Sequence, residues 1–335
     1  IVLLLGTVLA AQAQGGGTLR VGMDAPQVLD PALGSNDSEI LINRSLYDYL
    51  IEVLPDKSLA PNLATDWTVS DDGLTYTFTL ADGVTFTDGS PFTSADVVYT
   101  FSRLCALNSP ALALLNGGYF AVSAPDERTA VFTLTTEPCF PTEDPILMTE
   151  AFPNADFLYG VADRFALIVR DANLAQGAPG TDGDVSSSGP FLGTGPFVIA
   201  ESVEGVSLTL ARNENYWKEG QPLLDSVVFT FINDPITQVD ALRSGQVDFI
   251  FKISPEQIAT LEGEAGITVI SKATNQHPVI RLRVDTGPGQ DERVRQAFKL
   301  ATDRMELNDL VLEGRGVIGN NDPIGPGFGV FYNDQ

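Results

Sequence analysis

Between residues 74 and 80 the chain reads Leu-Thr-Tyr-Thr-Phe-Thr-Leu. Leu74, Tyr76, Phe78 and Leu80 thus share one side of an extended segment, and Thr75, Thr77 and Thr79 share the other. A period of two over this length is the pattern of a half-buried antiparallel strand, because successive side chains of a strand point to opposite faces. Asp71-Asp72-Gly73 just before it is turn chemistry, and residues 67–70 supply the first strand of a hairpin. An all-helical fold is excluded. Alternation returns over residues 128–135, and segments 197–201 and 206–211 flank Glu204-Gly205 as a second hairpin. Further short strands are expected over residues 18–23, 226–232, 247–251, 268–271 and 279–284.

Helical spacing is interleaved with these strands. Ile40, Leu41, Leu46 and Tyr47 form an apolar stripe over residues 38–50, after a turn-rich loop through Pro26, Asp30 and Pro31. Thr93 reads as an N-cap with Asp96 as a short-armed capping-box partner, opening a helix that carries Val97, Val98, Phe101, Leu104 and Cys105. Asp234-Pro235 places a cap before a proline at the first helical position, ahead of Ile236, Val239 and Leu242 and a stop at Gly245. Ser254-Pro255-Glu256-Gln257 is a full capping box. A helix from Asp291 carries Val294, Ala297, Phe298 and Ala301, and another is expected over residues 307–313. The fold class is α/β (mixed α+β), and 335 residues at about 150 per domain imply roughly two domains.

Charge narrows the function. With 19 Lys and Arg against 44 Asp and Glu, the net charge is −25. Such a surface repels phosphate backbones and anionic lipid headgroups, which argues against nucleic-acid and membrane-surface partners. Residues 1–13, an apolar run ending Ala11-Gln12-Ala13, have the apolar region and cleavage site of a secretory signal peptide. The run is too short to span a bilayer, and no cysteine stands at the cleavage point to carry a lipid anchor. No initiator Met precedes it, so the expectation is a chain shortened at its start. Export to a periplasm is expected. There Cys105 and Cys139 have two open readings, a disulfide or two separately buried thiols.

No catalytic constellation emerges. The chain lacks H-E-x-x-H, G-x-S-x-G, P-loop and C-x-x-C motifs. Its one histidine, His277, has no motif serine nearby. Asp182 and Asp184 lack the ligand spacing of a calcium loop, and the glycine-rich residues 325–329 lack the flanking strand and helix of a phosphate cradle. The reading is a non-enzyme without cofactor or metal. A secreted hydrolase using two carboxylates is the rival from another class, since 44 acids offer many pairs. A chaperone-like binder of unfolded segments is a third reading.

One long ordered string carries more. It runs Leu59-Ala60-Pro61-Asn62-Leu63-Ala64, Trp67, Ser70-Asp71-Asp72-Gly73-Leu74-Thr75-Tyr76-Thr77-Phe78, Gly83-Val84, Phe86, Asp88-Gly89-Ser90-Pro91-Phe92 and Ala95-Asp96-Val97-Val98-Tyr99. Gly193-Thr194-Gly195-Pro196-Phe197, Asn213-Glu214-Asn215-Tyr216-Trp217, residues 242–249 (LRSGQVDF) and Val294-Arg295-Gln296-Ala297-Phe298 with Asp303-Arg304 follow in order. The string resembles the signature of the family 5 extracellular solute-binding proteins, the oligopeptide-, dipeptide- and nickel-binding proteins of ABC importers. Most of these residues are expected to be structural: Trp67, Tyr76 and Phe78 in a core, Gly73, Gly83 and Gly89 in turns, Trp217 in packing.

The resemblance implies a two-lobed fold. Residues 18–58 and 186–267 would form the main sheet of lobe I, residues 59–185 an inserted subdomain, and residues 268–335 the start of lobe II, incomplete here. It implies a periplasmic receptor that closes over a solute and delivers it to permease subunits without chemistry. Peptide is the default ligand; chelated metal, haem, opines and sugars are also taken in the family. A monomer is expected for the full-length protein. By position, the cleft would be lined by Gly34, Ser35, Asn36 and Asp37 and by Thr274, Asn275, Gln276 and His277. Such short polar groups and free backbone can take an extended peptide as an added strand.

Overall fold

The computed structural model describes residues 16–142, 146–170, 191–251, 253–271 and 282–318. The leader at residues 1–13, Asp182 and Asp184, the stretch 274–277, the glycines of 325–329 and the first part of the strand expected at 279–284 lie outside the described residues. The chain divides into two compact units, Ile1–Phe249 and Ile250–Gln335.

In the first unit β1 (Thr18–Met23) leads through a long loop to α1 (Asp37–Leu46), and a short antiparallel pair follows, β2 (Ile51–Val53) with β3 (Leu59–Pro61). Next come β4 (Ala64–Val69), β5 (Thr75–Leu80), α2 (Ser94–Ala106), β6 (Phe120–Asp126) and β7 (Thr129–Leu134). Their strands make an antiparallel sheet in the order β4-β5-β7-β6, with α2 packed across β6 and β7. After the single turn α3 (Phe157–Val161) the chain reaches β8 (Phe197–Val203), β9 (Ser207–Arg212) and β10 (Ser226–Phe231). With α4 (Pro235–Arg243) and β11 (Phe249–Ile250) they complete a five-stranded sheet ordered β11-β1-β10-β9-β8. There β1 runs parallel to β10, Thr18 opposite Ser226, while β10, β9 and β8 are antiparallel neighbours.

The alternation of β5 is realised as expected. Tyr76, Phe78 and Leu80 are buried and Thr79 is exposed. Behind that face, Phe78, Phe101, Phe120, Phe132 and Phe157 pack together, with Phe101 and Phe132 edge to face at 4.7 Å. Each such ring contributes about 1.5–3 kcal/mol by burial, and its edge-to-face geometry adds about 0.5–1.5 kcal/mol more per pair. Trp67 is half-buried against the same cluster. A second cluster, built from Val21, Ile42, Leu46, Leu210 and Phe229 among others, sits against the five-stranded sheet. Helix α2 serves both clusters: Val97, Phe101 and Leu104 enter the first, Tyr99 the second. Gly73, Gly83 and Gly89 adopt positive φ, the backbone region their turns require and other residues avoid.

Several expected elements differ. The helix expected over residues 38–50 stops at Leu46, where Tyr47 turns extended. Its apolar pattern continues because Tyr47, Tyr49 and Leu50 are buried as part of the connection to β2. In α4, Ile236 is 69% exposed, so the buried stripe there is Val239 with Ala241. The strand expected over 247–251 shrinks to Phe249–Ile250. Residues 268–271 form no strand, since a strand needs a neighbour for its backbone groups and none pairs with them among the described residues.

The second unit holds α5 (Pro255–Leu261), α6 (Glu292–Ala301) and α7 (Arg304–Leu312). The Ser254–Gln257 capping box forms with both reciprocal hydrogen bonds. Leu261 is buried, whereas α6 and α7 bury no residue.

Candidate functional site

The loop between β1 and α1 contains the first group of expected ligand residues. Asn36 caps α1: its Oδ1 accepts the Glu39 N–H at 2.8 Å, and the Asn36 N–H is in turn received by Glu39 Oε2 at 3.1 Å. Gly34 is buried and its N–H reaches the Asp30 carbonyl at 2.7 Å. A Cβ there would stand 3.1 Å from the Asp30 and Val28 carbonyl oxygens and from Glu39 Cβ, which suits glycine. Ser35 is exposed; Asn36 and Asp37 are half-buried. The structure therefore brings these four residues together on one turn, with the Asn36 side chain engaged in the cap.

Two carboxylates that sequence reasoning passed over hold this turn. Glu39 is buried, and its oxygens accept four backbone N–H groups. Gln27 and Val28 donate to Oε1, both at 2.9 Å, and Ser35 and Asn36 donate to Oε2 at 2.7 and 3.1 Å. Asp30, also buried, pairs with Arg103 of α2 through two hydrogen bonds, one of them Nη1 to Oδ1 at 2.8 Å. The Ala32 carbonyl accepts from Ser109 Oγ at 2.9 Å. The spacing Asn36-x-x-Glu39 was a readable sign of the cap; the partners at 27, 28 and 103 had no local signal.

Asp48 forms a third buried centre. Its Oδ2 accepts from Trp217 Nε1 at 2.9 Å and from Thr194 Oγ1 at 3.0 Å, and its Oδ1 from Tyr216 OH at 3.1 Å. Burial raises the Asp48 carboxyl above its usual range, opposed by the Trp217 donor, the Lys218 charge and the two hydroxyls. Burial first, then the Asp48 charge, pushes the Tyr216 hydroxyl up in return. The Gly193–Phe197 and Asn213–Trp217 segments thus converge on one acid, and Trp217 packs as a structural residue. The glycines matter sterically. A Cβ at Gly193 would stand 2.0 Å from the Leu46 carbonyl oxygen, and one at Gly195 would stand 2.4 Å from the Leu46 carbonyl carbon. The Gly195 N–H donates to that same carbonyl at 3.1 Å, at the end of α1.

The second group, Thr274, Asn275, Gln276 and His277, lies outside the described residues. Cys105 at the end of α2 and Cys139 after β7 are joined as a disulfide, with Cα atoms 5.5 Å apart. Beside them Ser102, Phe120, Val122, Thr135 and Glu137 line a groove of about 540 Å³ that none of the loop residues enters. Among the described residues, no cluster of three His, Cys, Asp or Glu side chains is placed to hold a metal ion. No helix there is long and apolar enough to cross a membrane.

Comparison with known proteins adds the family. Residues 58–335 match the bacterial extracellular solute-binding proteins, family 5 Middle. Di/tripeptide-binding protein 2 of Pseudomonas aeruginosa (strain UCBPP-PA14) is 30% identical over 312 residues, 90% of this chain and 57% of its own length. Among solved structures, the AgaA binding protein from A. tumefacien R10, in complex with agropinic acid, is 28% identical. It matches with a TM-score of 0.64 over 74% of this chain and 46% of its own. DppA from Helicobacter pylori, in complex with the peptide STSA, shares the fold at 24% identity and a TM-score of 0.72, covering 90% of this chain and 59% of its own. The chain spans about half the length of the relatives it matches. Two motifs that the sequence holds apart, Gly193–Phe197 and Asn213–Trp217, meet on Asp48, and the match over residues 58–335 settles the family: the chain belongs to the family 5 bacterial extracellular solute-binding proteins.

Proposed function

We propose that this chain belongs to a periplasmic solute receptor of an ABC importer that binds peptides and passes them unchanged to membrane permease subunits. The turn after β1 carries the reading. Its backbone is braced from below by Glu39 and Asp30 while Ser35 faces solvent, as a wall for an extended ligand requires. The names of relatives support the ligand class: one is a di/tripeptide-binding protein and another was solved with a tetrapeptide. Agropinic acid in a third marks the family's range.

In this proposal residues 18–58 and 186–267 form the main sheet of lobe I, residues 59–185 its inserted subdomain, and residues 268–335 begin lobe II. Gly34, Ser35, Asn36 and Asp37 face the solute from one side and Thr274, Asn275, Gln276 and His277 from the other. Lobe closure presents the liganded form to the permease. The receptor is a monomer, exported by a cleaved leader and without catalytic activity. The test is titration calorimetry of the full-length protein with di- and tripeptides, paired with mass spectrometry of the same peptides after incubation. Saturable binding with intact peptide is expected. Peptide hydrolysis, or no binding to any peptide alongside tight binding of another solute class, would overturn it.

A further inference from the structure

A capping box at the start of α1 needs from Glu39 only its bond to the Asn36 N–H. Glu39 accepts three more. Its Oε1 takes the N–H groups of Gln27 and Val28, and its Oε2 takes that of Ser35 beside Asn36. The four donors come from the two ends of the loop, so one buried carboxylate clamps the loop onto itself. Asp30, between those ends, is fastened separately to Arg103. With the polar fastening underneath, the loop turns other side chains outward: Val28 is 38% and Leu33 44% exposed, and Ser35 is exposed as well.

We infer that Glu39 is a positioning residue for solute recognition: it does not meet the solute but fixes the backbone of residues 27–36 in the shape the solute meets. This rests on the proposal that the loop lines the cleft. The physical requirement is an acceptor with two equivalent oxygens. A carboxylate offers about four lone-pair sites and receives all four N–H groups, each a charge-assisted bond. The isosteric amide of Gln keeps one oxygen and turns an NH₂ toward two backbone donors. Donor then faces donor, and two of the four fastenings are lost. The Asn36 Oδ1 bond to the backbone N–H of residue 39 is untouched by that change, so α1 keeps its cap. Holding a recognition loop in its bound shape before the ligand arrives removes an ordering cost from binding.

The test uses the full-length protein with Glu39→Gln, and Glu39→Asp as a second variant that keeps the charge but shortens the reach. Amide hydrogen exchange is measured without ligand, and the dissociation constant is measured for the tightest member of a di- and tripeptide library. Expected are at least tenfold faster exchange at Gln27, Val28, Ser35 or Asn36, unchanged protection at Phe78 and Phe132, and at least tenfold weaker peptide binding by folded protein. Released loop amides with wild-type affinity would overturn the inference, since Glu39 would then be structural only. Unchanged loop protection would overturn it too. If the wild-type protein bound no peptide of the library while the variant released the loop amides, the peptide reading would fall and Glu39 would stand as the anchor of the loop.

Discussion

Arg103 and Asp30 form an ion pair in which both side chains are more than nine-tenths buried, joining α2 to the loop after β1 across 73 residues of sequence. Removing one partner leaves the other charged, desolvated and unmatched. Asp30→Ala is expected to cost about 3–5 kcal/mol of folding stability, and Arg103→Met a similar amount. The double variant should be less destabilised than the sum of the two, because neither charge is then stranded. Urea denaturation of the four proteins closes the cycle; strict additivity would show that the pair is not coupled.

The Cys105–Cys139 bond closes a loop across a sequence separation of 34 residues, tying the end of α2 to the segment after β7. Restricting the unfolded chain over that span stabilises the fold by about 3–4 kcal/mol. Alkylation of the unfolded, unreduced protein should add no label by intact mass, and prior reduction should add two. Cys105→Ser with Cys139→Ser should lower the denaturation midpoint accordingly.

Asp48 makes the stability depend on pH in a stated direction. Burial raises its carboxyl above the ordinary 3.8, so the folded state holds the proton more tightly than the unfolded chain. Its contribution therefore favours folding at acid pH and is lost as pH rises through the folded-state value. Subtracting the unfolding free energy of Asp48→Asn from that of the wild type should leave a difference that falls as pH climbs from about 4 and then levels. A difference independent of pH would mean that Asp48 ionises alike in both states.

Gly193 rests against the end of α1 so closely that an added methyl would overlap the Leu46 carbonyl oxygen. Gly193→Ala has to push backbone against backbone, and overpacking of that kind costs about 1–3 kcal/mol or more. The Thr194 hydroxyl should leave Asp48 as the segment shifts. A lower melting temperature than that of the wild type is the expected result, and an unchanged one would show that the Leu46 carbonyl has room to give.

What the sequence determined by itself was local or periodic. The Thr-x-Thr alternation of β5 specifies a strand with one buried face because side-chain direction has a period of two. Ser254 with Gln257, Asp234 with Pro235 and Asp291 specify helix starts because the cap partners lie within three residues. The ordered string from Leu59 to Tyr99 was enough to bring out the family. Tertiary structure decided the rest, where the partner is remote. Leu46 ends α1 because its carbonyl meets the N–H of Gly195, which no helical period announces. β1 becomes the neighbour of β10 only when the chain between partners 208 positions apart has been placed. Glu39 sits on α1 at an ordinary capping position, and its extra bonds to Gln27 and Val28 exist because the loop folds back over it. Asp48 looks like one acid among 44 in the sequence; its burial, and the convergence of Thr194, Tyr216 and Trp217 on its oxygens, are properties of three chain segments meeting in space.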